Sequence, residues 1–143
     1  MEVGDSTEAV DAEAVKRVFD RNFRVKGSGG AFLYRSLGRI PNPEAVEVIT
    51  KDTVWITTDR PNPLLPRILN LPNAGPLDPE LVRSQSEPEE EWAETWLRQN
   101  TAGAGAYFVE SWTRGVEIVL RANKNYWRGA PSIDKVILKI IPS

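Results

Sequence analysis

Apolar residues Val15, Val18, Phe19 and Phe23 recur at three- and four-residue spacing, Asp11 stands where a cap is needed, and no proline interrupts, so a helix is predicted over 11–23. The glycine-rich stretch 26–30 breaks it, and 31–37 reads as a short second helix ended by Gly38. The period then changes. Residues 45–50 and 53–58 are rich in β-branched side chains and flank the polar pair Lys51-Asp52, which predicts a β-hairpin. In its second arm Val54, Ile56 and Thr58 share one face, and Thr53, Trp55 and Thr57 share the other.

Arg60-Pro61-Asn62-Pro63 closes that hairpin, and a short helix is expected over 64–69 with Pro66 in its first turn. The proline, glycine and acidic content of 70–88 predicts a long irregular connection. A further helix is expected over 88–97. Pro88 would open it, Glu89, Glu90 and Glu91 would face the positive end of its dipole, and Trp92, Ala93, Trp96 and Leu97 would form its apolar stripe. Residues 107–113 and 116–123 read as a second hairpin around Arg114-Gly115, and 134–141 as a last apolar strand. Together these elements predict an α+β fold: an antiparallel sheet of four to five strands with two or three packed helices.

Length and composition fit that outline. The chain has 143 residues, 41% hydrophobic and 27% charged, so 1–10 is read as a disordered acidic N-terminus and 11–143 as one α+β domain. The net charge of −2 removes the global basic field of a non-specific nucleic-acid binder, and no nucleic-acid partner is expected. Cysteine and histidine are both absent, which excludes thiol nucleophiles, disulfides, Cys/His zinc sites and imidazole-dependent triads. No apolar run reaches the roughly 18 residues of a membrane-spanning helix, and the N-terminus lacks the pattern of a signal peptide.

Several clusters invite chemistry. The run Glu87, Glu89, Glu90, Glu91 and Glu94 could suggest paired carboxylates or a hard-cation site, but consecutive acids share one solvated environment and suit a helix start better. Glu110 and Glu117, on the two arms of the second hairpin, could suggest a glycosidase pair; charges on a solvated sheet face are the plainer reading. Basic residues 114, 121, 124, 128, 135 and 139 interleave with Trp112, Tyr126 and Trp127, which hairpin alternation alone would produce. Gly103-Ala104-Gly105 lacks the Lys-Ser/Thr ending of a phosphate loop; its glycines are expected to end the preceding helix and let the chain enter a strand tightly. Catalytic residues, metal ligands and cofactors are therefore all expected to be absent.

Read in order, Ala102-Gly103-Ala104-Gly105-Ala106-Tyr107, Glu110-Ser111-Trp112, the run 117–123 ending in Asn123, Tyr126-Trp127-Arg128-Gly129 and the run 133–142 ending in Ile141-Pro142 resemble the family 5 extracellular solute-binding proteins. These are the dipeptide and oligopeptide receptors of ABC importers. In that family a Gly-Thr-Gly-Pro-Tyr segment opens a strand, a hairpin follows, and an Asn-x-x-Tyr-Trp turn leads to an apolar strand ending near Ile-Pro. Upstream, Phe19-Asp20-Arg21-Asn22 resembles the end of the family's helix, and the run 46–63 its strand-turn-strand with a Pro-Asn-Pro exit. Ala104 and Ala106 depart from the family's usual Thr and Pro, removing a hydroxyl and a fixed φ from the loop.

The resemblance implies a fragment of a two-lobed, type II periplasmic-binding-protein-like fold, mainly the small domain inserted in the first lobe. It implies a non-catalytic, partial substrate-binding component of an ABC-type importer, located in the periplasm or at the cell surface. Its partners would be a peptide or small solute, held between the lobes of the complete receptor, and the importer's permease. No ligand-binding residue is carried over. Gly103, Gly105, Tyr107, Trp112, Asn123, Tyr126 and Trp127 are assigned as structural positions of the family motif. The other reading is a stand-alone protein-interaction module built on the same domain, with Ile137, Ile140 and Ile141 in its contact surface.

Overall fold

The first helix, α1 (Ala12–Arg24), forms where the apolar spacing places it, and the Asp11 side chain caps it by accepting from the Ala14 N–H at 2.8 Å. The structure is a computed structural model and describes residues 10–27 and 29–141. The N-terminus expected to be disordered, Ser28 of the glycine-rich breaker and the closing Pro142 lie outside the described residues, apart from Val10. The chain divides into two compact units, Val10–Pro79 and the part from Glu80 onward, and each is described by itself.

In the first unit, α2 (Gly30–Phe32) runs on as a wider turn of helix over Leu33–Gly38, which ends at Arg39 in the left-handed region with φ 61°. The predicted hairpin is β1 (Val46–Thr50) paired antiparallel with β2 (Thr53–Ile56), with a bulge between Val48 and Thr50. Its alternation holds. Val46 is fully buried and Ile56 packs beside it, whereas Trp55 on the other face is 66% exposed. The short helix α3 (Leu65–Leu69) follows, with Pro66 in its first turn. Phe19 of α1, Tyr34 of the turn that continues α2, Ile40 of the loop after it, Val46 of β1 and Ile68 of α3 form the buried core, with Val15, Phe23, Leu33, Ile56 and Leu65 packed around them.

Two expectations for the middle of the chain are corrected. The connection 70–88 is not irregular throughout: it contains a 3₁₀ turn at Pro72–Ala74 and a helix α4 (Pro79–Ser84), opened by a proline and carrying the buried Val82. The helix predicted over 88–97 shrinks to α5 (Glu94–Leu97). Pro88 and Glu89 instead sit in a tight turn whose flanks, Glu87 and Glu90, bond to each other through their backbones. Ala93 is fully buried in the left-handed region at φ 48°, so no helix can run through it. Glu90 still serves a helix start, because its carboxylate accepts from the N–H and hydroxyl of Thr95, both at 2.7 Å.

The second hairpin and last strand are β3 (Tyr107–Thr113), β4 (Glu117–Ala122) and β5 (Lys135–Lys139), an antiparallel sheet in the order β3-β4-β5. Gly115 at φ 76° makes the β3–β4 turn. The α+β class stands, with the five strands divided between a two-stranded and a three-stranded sheet. Local patterns specify each hairpin, but which hairpins join is a long-range matter that alternation does not encode.

Candidate functional site

Five of the seven motif positions, Gly105, Tyr107, Asn123, Tyr126 and Trp127, lie at the end of the three-stranded sheet where β3 begins and β4 ends. Asn123, 5% exposed, follows the last residue of β4. Its backbone N–H donates to the Ala106 carbonyl at 2.9 Å, and its Nδ2 donates to the Gly105 carbonyl at 3.1 Å. Its Oδ1 accepts from the Asn125 N–H at 2.9 Å. An asparagine can do all of this at once, because its amide carries donors and acceptor on one short side chain. The loop before β3 and the loop after β4 are thereby tied to one buried residue.

The remaining links extend the same knot. The Tyr107 hydroxyl donates to the Ile133 carbonyl at 3.0 Å, joining the start of β3 to the approach to β5. The Tyr126 N–H donates to the Asn123 carbonyl at 3.3 Å, and Gly129, at φ 93°, donates to the Tyr126 carbonyl at 2.8 Å. The Tyr126 and Trp127 rings meet edge to face, centroids 6.0 Å apart. Trp127 is 74% exposed and carries the Arg128 guanidinium over its ring at 4.4 Å. Gly105, Tyr107, Asn123, Tyr126 and Trp127 are thus brought together.

Trp112 is not among them. It lies near the far end of β3, in register with Ile118, which is itself opposite Leu138. Gly103 is exposed, and a Cβ there would meet no atom within 4 Å. A Cβ on Gly105 would make only an ordinary contact, 3.6 Å from the Tyr107 carbonyl. Neither glycine ends a helix, since α5 stops at Leu97; the motif uses the carbonyl of Gly105, which any residue possesses. The residue types are visible in the sequence and this bond is not, because a backbone acceptor leaves no trace in residue type.

The carboxylate pair fares differently from an acid–base site. Glu110 is the extra residue of a bulge between Val109 and Ser111, and its carboxylate bonds Arg121 on β4 and reaches Lys135 Nζ on β5 at 3.3 Å. The hydrogen bond from Arg121, aided by Lys135, holds the Glu110 carboxyl below the usual carboxylate range. A general acid needs the opposite shift. Glu117 is in register with Thr113 on one side and Lys139 on the other. Of the interleaved cations, Arg114 stacks over Trp112 at 5.0 Å, and Arg121 and Lys135 face Glu110. Among the described residues no group of three or more Asp and Glu is placed to hold a metal ion, and no helix is long and apolar enough to cross a membrane.

Comparison with known proteins gives this arrangement a family. The profile of the bacterial extracellular solute-binding proteins, family 5 Middle, matches residues 5–143. The Escherichia coli (strain K12) protein named "Probable D,D-dipeptide-binding periplasmic protein DdpA" is 31% identical over 134 residues, covering 92% of this chain and 24% of that protein. Among solved structures, AppA from Clostridium difficile is similar with a TM-score of 0.72 at 27% identity, covering 96% of this chain and 27% of that one. MoaA from A. tumefaciens R10, in complex with mannopinic acid, shares the fold with a TM-score of 0.69 at 24% identity, over 92% of this chain and 24% of its own. The chain therefore spans about a quarter of the length of these relatives. Members of the family bind peptides or other small solutes outside the cytoplasm for ABC transporters. With its sequence matched from residue 5 to residue 143, the chain belongs to the bacterial extracellular solute-binding proteins, family 5.

Proposed function

We propose that this chain is a scaffold part of the substrate-binding component of an ABC-type importer of peptides or a related solute. The family match across residues 5–143 supports this most, and the Asn123 knot gives it a physical content: the side chains of Asn123 and Tyr107 spend their polar groups on holding loops. Gly103, Gly105, Tyr107, Trp112, Asn123, Tyr126 and Trp127 are then structural positions, and no residue of this chain is assigned to the ligand or to catalysis. DdpA, named for D,D-dipeptides, favours a peptide solute. MoaA shares this fold while holding mannopinic acid, so the choice of solute is assigned to other parts of the receptor. The complete receptor would work in the periplasm or at the cell surface, enclose its ligand between two lobes and deliver it to a permease. Calorimetric titration of this chain with a pool of di- to pentapeptides should give no saturable heat; micromolar binding would overturn the scaffold assignment.

A second reading, a protein-interaction module, is favoured by one feature. Trp112, Ile137, Leu138 and Ile140 of the three-stranded sheet region are each about half exposed, and Ile141 is 87% exposed. Sedimentation of the chain decides between the readings. Association that Leu138→Ser abolishes would favour the module, and a well-folded monomer at all concentrations would count against it.

A further inference from the structure

The 3₁₀ turn Pro72–Ala74 is held by an unusual pair of donors. The Asn73 carbonyl accepts from Asn22 Nδ2 on α1 and from the Tyr34 hydroxyl in the turn that continues α2, each at 2.9 Å. Both donors are deeply buried: Asn22 is 5% exposed and Tyr34 is fully covered. Asn22 also donates to the Val18 carbonyl at 2.8 Å, which fixes its rotamer, and Gly30 leaves room for it, since a Cβ there would lie 2.1 Å from Asn22 Oδ1. The main chain around Asn73 is tight as well. Ala74 N–H donates to Leu71 at 2.9 Å, Gly75 N–H donates to Pro72 at 3.1 Å, and a Cβ on Gly75 would sit 3.2 Å from the Pro72 carbonyl.

A carbonyl has two lone pairs, and here two elements each claim one. If the turn lifted away, a buried phenol and a buried amide would lose an acceptor together, and each orphaned donor carries a desolvation penalty that water must relieve. Asn73 itself is an exposed residue on a short turn, with little apolar area to hold it. We propose that residues 70–75 form a strap, latched to the helical core by the Asn73 carbonyl through Asn22 and Tyr34, that fixes where the chain leaves the Val10–Pro79 unit and opens as its own step. The latch is a backbone group gripped by side chains, so residue 73 can change type without releasing it.

Native-state hydrogen exchange of the whole chain tests this, because the Ala74 and Gly75 amides report the strap and those of Val18 and Phe19 report the core. In the parent protein, Ala74 and Gly75 should be protected. Tyr34→Phe should speed their exchange about tenfold more than it speeds that of Val18 and Phe19, and Asn22→Ala should act in the same direction. Asn73→Ala, which keeps the carbonyl, should leave the strap amides within about twofold of the parent. The proposal is overturned if Ala74 and Gly75 exchange without protection in the parent, if Tyr34→Phe accelerates strap and core alike, or if Asn73→Ala loosens the strap as much as Tyr34→Phe does.

Discussion

A glycine is informative where its backbone is left-handed, as at Gly115, or where something occupies the space of its missing side chain. At Gly30 a Cβ would meet the Asn22 side chain at 2.1–2.7 Å, and Asn22 is itself buried and bonded, so it cannot swing aside. Gly30→Ala should therefore cost about 1–3 kcal/mol by overpacking, read as a lowered midpoint in urea with an unchanged slope. Gly103→Ala should cost well under about 1 kcal/mol, since nothing lies near it and its backbone is not left-handed. A loss at residue 103 as large as at 30 would mean that the family-motif glycine has a role the geometry does not contain. Tyr34 supplies a second residue-scale test. Burial pushes its phenol from the ordinary value up to about 12. The folded state thus holds this proton more tightly than the unfolded chain does, so its stabilising contribution is full below pH 10 and is lost as pH rises through about 12. Tyrosinate absorbance should show a late step near pH 12 that Tyr34→Phe removes.

At the scale of elements, one carboxylate spans three strands. Glu110 on β3 meets Arg121 on β4 and Lys135 on β5: Arg121 is in register with Phe108 and with Lys135, and Glu110, two residues on from Phe108, falls on the same face. Because its folded-state pKa is depressed, the cluster's contribution is present above the ordinary carboxylate range and is lost as pH falls through the lowered value. The site is open to solvent, so the effect should also fade with salt. Carboxyl NMR should find Glu110 titrating below the ordinary range, and Arg121→Gln should move it back up. No such movement would remove Arg121 as the principal cause. The element scale also shows where sequence is readable. α1 and both hairpins follow from signals a few residues long: the Asp11 cap, period-two alternation and Gly115 in its turn. The helix expected over 88–97 failed because Ala93, a residue of high helix propensity, is held left-handed, a tertiary demand that propensity cannot foresee. The candidate site divides in the same way. Its residue types were legible, and its central bond, from Asn123 to a backbone carbonyl, was not.

Across the whole molecule, apolar burial is distributed unequally. Phe19, Tyr34, Ile40, Val46 and Ile68 form one contiguous core within Val10–Pro79. From Glu80 onward the buried apolar residues among the described residues are the smaller Val82, Ala93, Ala102, Val119 and Ala122, while Trp112 and Leu138 stay about half exposed. Burial contributes roughly 25 cal/mol per Å² of apolar surface, so the unit with large covered side chains holds the greater share of the stability. Opening free energies should follow that division. In native-state hydrogen exchange, the slowest amides should be those of α1 around Val18 and Phe19, and those of β3–β5 should open at lower free energy. Phe19→Ala should cost about 3–5 kcal/mol and lower the protection of α1, whereas Leu138→Ala, at a half-exposed position, should cost under about 1.5 kcal/mol in this chain. If the scaffold reading is right, the same Leu138→Ala change made in a complete receptor should cost more, because further polypeptide would cover that face. Equal costs in the two contexts would show that the sheet stays uncovered there, and its exposed apolar row would then call for a separate partner.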